Sequence, residues 1–439
     1  MAKVHRSFIF EQFARRKLVD NSLLASRLHT VLTERDAMSN VHGDDEITLS
    51  KVVEVMARRL NHLVGARCLR SNGVAVGRNW TETLAKVSKI NQDTPLAKNV
   101  TQQALELLRV HSLIGNKRVT WYDLKGLNAD MVTSFSSWLD KALVSPPVDE
   151  SWVTQYPFPL TPTDDASLRT FDRSKPKLVK VWQEGAHTYF QFFSVRTYNE
   201  RVELAPTSFS EDAYENIRQY SQIIGIKQKF APCFDTVVVD RSEQRIELRV
   251  DVPSAHVPSE IQQIASQHVL ASFNALSYEG CRTSIVGLSA FDFFPMLLPL
   301  YRDNAAGKVS TLGFAAYAED SASNNTGRPI RKKGHDLRQD KFHKSGAAAV
   351  EDLRPYTIGV EWPALGRKDE VIELEIPGSI HCLYKSRALH VANLSGCVTF
   401  AEYDFLTSKI WHYSEIAAKL AAEAFSQAQK AIESAKAGA

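Results

Sequence analysis

The stretch from Glu319 to Gly346 concentrates the most chemically distinctive residues of the chain. Most of it reads SASNNTGRPIRKKGHDLRQDKFHKSG, with almost no apolar side chains. Between Arg328 and Lys344 lie seven cations, Arg328, Arg331, Lys332, Lys333, Arg338, Lys341 and Lys344, against two carboxylates, Asp336 and Asp340. A polar run of this length reads as a loop, and loops longer than about 15 residues in compact domains are usually functional or disordered. Clustered lysine and arginine suit a phosphate backbone, where they displace condensed counterions. These seven residues are therefore the expected nucleic-acid contacts. The competing reading is a solvated insertion whose charge only keeps it soluble. His335, Asp336 and His343 lack the i, i+4 helical spacing of a HExxH pair, so no metal site is assigned and no cofactor is expected.

A second constellation lies where two strands are expected to form a hairpin. Asp235 opens one strand, and Glu247-Leu248-Arg249 sits in the next. Their order and spacing resemble the PD-(D/E)xK nucleases, and the resemblance spans only Asp235 to Arg249. It implies a Mg²⁺-dependent nuclease whose two carboxylates converge on one ion. The chain departs from the pattern at two places. Arg249 stands where lysine is usual, and a guanidinium that keeps its proton cannot act as a base. Pro232 is not adjacent to Asp235. Glu247 and Arg249 also alternate with Ile246, Leu248 and Val250, which fits a strand with one solvated face.

Other catalytic signatures are missing. The sequence has no GxxxxGK[ST] phosphate loop; Gly73 and Gly77 have the wrong spacing for a dinucleotide turn, and Gly287-Leu288-Ser289 lacks the closing glycine of a nucleophile elbow. No catalytic residue is assigned. Arg58, Arg59, Arg67 and Arg70, on a helix expected over Leu49 to Arg70, suit a solvated face better than a groove-reading one. Tyr189, Phe190, Phe192 and Phe193 alternate along one strand, so burial is favoured over base stacking.

The elements that would carry these residues change character along the chain. Leu49–Leu63, Pro95–Val110 and Asn128–Val144 repeat apolar residues at three and four, so residues 1–145 are read as a helical domain. Residues 146–176 crowd Pro146, Pro147, Pro157, Pro159, Pro162 and Pro176, and read as an extended connection. Residues 177–439 form the second domain. Strands are expected at 177–182, 189–195, 201–204, 236–239, 245–252, 284–286, 311–317, 356–362, 371–376 and 396–400, with helices at 211–223 and 259–276. The basic loop occupies 319–346, and an amphipathic helix closes the chain at 405–435. Strands in runs, with few interleaved helices, predict an α+β fold built on a mixed, largely antiparallel sheet.

Composition sets the outer bounds. The chain has 439 residues, 44% hydrophobic and 23% charged, with a net charge of +3. That is globular material with a mildly basic balance. Five scattered cysteines, Cys68, Cys233, Cys281, Cys382 and Cys397, fit reduced thiols and a cytoplasmic location. No apolar run reaches the roughly 18 residues a membrane helix needs. The expected function is nucleic-acid binding without catalysis, as one component of a larger intracellular assembly with protein partners. A Mg²⁺-dependent nuclease and a protein-only scaffold are the alternatives.

Overall fold

The computed structural model describes residues 47–205, 209–253, 257–285, 287–317, 325–326, 329–350 and 352–437. In chain order they form α1 (Leu49–Arg59), α2 (His62–Ser71), α3 (Trp80–Val87), α4 (Pro95–Ile114), β1 (Lys117–Asp123), α5 (Ala129–Val144), α6 (Glu150–Gln155) and α7 (Asp165–Thr170). There follow β2 (Lys177–Glu184), β3 (His187–Glu203), α8 (Glu211–Ile217), β4 (Ile224–Asp240), β5 (Arg245–Asp251), α9 (Ser259–Cys281), α10 (Leu297–Arg302), β6 (Lys308–Tyr317), β7 (Asn325–Thr326) and β8 (Ile330–Arg331). The chain continues through α11 (Lys341–Ala348), β9 (Asp352–Pro363), β10 (Val371–Ile376), β11 (Ala392–Ser395) and α12 (Phe400–Ala437).

One 11-stranded sheet runs β2-β3-β4-β5-β1-β11-β10-β9-β6-β7, with β8 also paired to β6. Every pairing in it is antiparallel. Together with the helices this is the expected α+β class. Two of the early helices start at side-chain caps: Thr48 accepts from the Lys51 N–H, and Thr94 accepts from the Ala97 N–H with Pro95 in the first turn of α4.

The division at 145 and 177 does not separate compact units, because Thr48–Ala439 form one. The reason is β1, a strand inside the region read as helical. It lies between β5 and β11 and joins the two halves of the sheet. Its sequence KRVTWYD alternates, burying Val119 and Trp121 on one face. Its register sets Lys117 opposite Asp251 and Asp123 opposite Arg245, so both ends pair opposite charges. Residues 146–176 are likewise packed: Leu168 and Phe171, with Trp152, Val153 and Phe158, cover Phe193, Val195, Phe230 and Phe234.

Other boundaries shift for local reasons. The first helix breaks at Leu60, and Asn61 caps a new one. Strands expected at 189–195 and 201–204 are one strand, β3, because its whole length pairs with β4. Thr283 to Ile285 have no strand pairing. The strand expected at 396–400 ends at Ser395, where Gly396 turns with φ +80 and the chain enters α12.

The sheet has two differently covered faces. One carries the main core, in which Val119, Trp121, Val360 and Leu374 meet Leu406, Ile410 and Tyr413 of α12. On the other face, α5 and α9 cover β2–β5 through Phe135, Trp138, Val269 and Phe273. Tyr189, Phe190, Phe192 and Phe193 are all buried, on both faces. Among the described residues no helix is long and apolar enough to cross a membrane. The five cysteines are unpaired.

Candidate nucleic-acid interface

The basic segment is only partly a loop. Its second half folds against the edge of the sheet and roots itself there. Ile330 and Arg331 pair with Leu312 and Thr311, and the Lys332 N–H donates to the Ser310 carbonyl at 2.8 Å. Gly334, at φ +75, turns the chain, and its N–H donates to Glu361 Oε2 at 2.9 Å. Leu337 then enters the main core. Asp340 caps α11 by accepting from the Phe342 N–H.

Each predicted contact now has a place. Arg328 lies outside the described residues. Arg338 is buried and binds inward, with Nε 2.9 Å from Asp336 Oδ1 and the rest of the guanidinium on the carbonyls of Asp303 and Gly307. It anchors the segment and is removed from the contact set, because a buried, fully engaged guanidinium cannot reach a ligand. Arg331 forms an ion pair at 3.0 Å with Glu373, whose carboxyl pKa is raised by burial and only partly offset by that cation. Lys332 is exposed and pairs with Asp340 at 3.1 Å. Lys333, Lys341 and Lys344 are exposed, and among the described residues none has a side-chain ion pair. The two lysines of α11, three residues apart, stand on one side of the helix.

Between them Phe342 is 89% exposed, and Ile330 is 50% exposed nearby in sequence. Composition, by which the segment is almost free of apolar groups, gives neither of them weight. The available signal was the string Lys341-Phe342-His343-Lys344, an aromatic set among cations. His343 turns inward instead, 2.8 Å from the Tyr301 hydroxyl and edge-on to Phe314. Burial lowers its pKa despite Asp340 and Asp336, so it adds no charge at neutral pH. Asp336 is committed to Arg338, and no cluster of three potential metal ligands occurs among the described residues.

The hairpin carboxylates do not converge. The register pairs Val238 with Glu247 and Thr236 with Arg249. Glu247 therefore shares the face of Thr236 and Val238, while Asp235 shares the opposite face with Val237. One ion cannot bind both. Nor is Glu247 on a solvated strand: it is buried against Arg249, at 2.9 Å, and the Tyr403 hydroxyl. Burial disfavours its charge, but Arg249 and these hydrogen bonds prevail and hold its pKa below the usual carboxylate range.

Asp235 belongs to a second buried network. It accepts from Ser194 at 2.5 Å, Arg196 at 2.6 Å and the Asp251 N–H at 2.9 Å. Asp251 in turn binds Lys117 at 2.5 Å and Arg59 at 2.8 Å. His111 beside them is pushed down to about 3 by burial and by Arg59. The gap between Arg59, His111, Pro232 and Asp251 is only about 10 Å³, room for one water and no substrate. Of the arginines of the first helices, Arg59 is buried on Asp251, whereas Arg58 pairs with Asp165 and Arg67 with Glu370 nearer the surface and Arg70 is exposed. The sequence matches no protein-family model and no curated protein.

Proposed function

We propose that this protein binds nucleic acid through the segment from Lys332 to Lys344, in single-stranded form by preference. The observation that carries the reading is Phe342, almost fully exposed between Lys341 and Lys344. An exposed aromatic ring costs solubility unless something stacks on it, and lysines beside it supply the backbone contacts that hold a strand in place. Lys332 and Lys333 extend the positive surface on the preceding turn. These groups hold and stack a ligand, so the proposed role is binding. Fluorescence anisotropy with labelled single-stranded and duplex oligonucleotides tests it. Single strands should bind tighter, and Phe342→Ala should weaken single-strand binding by about 1–3 kcal/mol per stacked base. No retention of any oligonucleotide at low salt would overturn the reading and favour a protein-only scaffold.

A further inference from the structure

The connection between β10 and β11 contains a π turn, Cys382–Ser386, closed by the Arg387 N–H donating to the Cys382 carbonyl at 2.8 Å. Such turns are rare and recur at functional sites. Arg387 ends it at φ +47, a left-handed conformation that glycine adopts freely and a larger residue only with strain. Leu383 anchors the turn, buried on Tyr356 and Ala315. The four residues after it, Tyr384, Lys385, Ser386 and Arg387, are all exposed, Tyr384 by 51%. From Ile376 to Ala401 the chain has no Asp or Glu. Among the described residues neither Lys385 nor Arg387 forms an ion pair. An exposed aromatic ring with two cations is also what Lys341, Phe342 and Lys344 present on α11.

The two sets are joined through neighbouring parts of the fold. Both pack on consecutive residues of β6: His343 of α11 lies edge-on to Phe314, and Leu383 of the π turn meets Ala315. Both also touch the stretch that ends in α10. Phe294 packs against the cluster of Leu383, and the Tyr301 hydroxyl is 2.8 Å from His343. Phe294 and Tyr301 are seven residues apart along helical chain, a rise of about 11 Å.

We propose that a single strand held on Phe342 continues onto the π turn, where Tyr384 stacks a further base and Lys385 and Arg387 hold its phosphates. The inference rests on the nucleic-acid reading above and lengthens that site to a second platform. Two stacking rings, each with its own pair of cations, match the alternation of base and phosphate along a strand. An acidic peptide would satisfy the cations but leave the rings without flat partners. Arg387 fits the same reading: glycine would turn here without strain, so the strained arginine is explained by a use for its side chain.

Fluorescence anisotropy on the full chain, with labelled single strands of about four and about twelve nucleotides, decides it. The wild type should prefer the longer strand by more than its extra binding registers allow. K385A/R387G, in which glycine takes the left-handed turn, should bind the longer strand roughly twentyfold more weakly near about 0.1 M salt. Its salt slope should be flatter by about 1.4, at roughly 0.7 per lost phosphate contact. Y384A should weaken the longer strand roughly tenfold. Neither variant should change binding of the short strand, which Phe342 and its lysines hold. The melting temperature of K385A/R387G should not fall, since it removes exposed side chains and a strained φ. If F342A weakens binding while K385A/R387G and Y384A leave the longer strand unaffected, this inference is overturned and the reading of α11 stands. If no strand binds the wild type at low salt, both fall together.

Discussion

Arg59, Lys117, Arg196 and Arg249 lie inside the molecule, each with a carboxylate oxygen between 2.5 and 2.9 Å away. Lys333, Lys341 and Lys344 lie on its surface and form no ion pair among the described residues. The same residue types thus serve two purposes, and partner and burial tell them apart. A buried cation is tolerable only when its charge and hydrogen bonds are met, so the inner set must be structural. An exposed lysine next to an exposed aromatic has no such obligation to the fold. Arg331, Lys332 and Arg338 form a graded boundary, from a half-exposed ion pair to a guanidinium wholly engaged with the backbone.

The largest expected effect tests the inner set. Asp251→Ala would strand Lys117 and Arg59 without a counter-charge, at a cost of about 3–5 kcal/mol. Urea denaturation measures it; an unchanged midpoint would show that the network does not hold β1 and α1 to β5. The same network predicts acid sensitivity. Burial opposes the Asp251 charge, but Lys117 and Arg59 overcome it and hold its folded pKa below the unfolded value. A depressed carboxylate contributes its stability in full above the unfolded range near about 4, and loses it as pH falls from there. Melting temperature should therefore drop steeply below about pH 5, and less steeply in Asp251→Asn.

Arg338→Ala should have an intermediate effect. Losing its bonds to the Asp303 and Gly307 carbonyls should cost about 2 kcal/mol and speed hydrogen exchange across residues 330–348. Exchange confined to other regions would mean that the segment has a different root. The smallest effect belongs to the outer set. Lys333→Ala, Lys341→Ala and Lys344→Ala should each change stability by less than about 0.5 kcal/mol.

Much of this architecture is legible in the sequence, where period and capping are local. Thr94-Pro95 marks the start of α4, and Val371–Ile376 is found as a strand at its observed bounds. Partnership is not local. Nothing in KRVTWYD says that it will lie between β5 and β11, and its burial comes from neighbours more than a hundred residues away. The seven cations of the basic segment stand out by composition alone. Which of them face inward depends on carbonyls at Asp303 and Gly307 and on a carboxylate at Glu373, none of which composition reveals. Asp235 and Glu247 show the same limit: their spacing suggests convergence, and only the register shows them on opposite faces.

The salt dependence of binding tests the central claim most directly. Affinity for a single-stranded oligonucleotide, measured at several salt concentrations, should fall linearly in log affinity against log salt for the wild type. The triple variant Lys333→Ala, Lys341→Ala, Lys344→Ala should bind more weakly to all sequences, with a slope flatter by up to about 2, at roughly 0.7 per lost phosphate contact. Its melting temperature should match the wild type. An unchanged affinity and slope in that variant would contradict the account and leave the outer lysines as solvated surface.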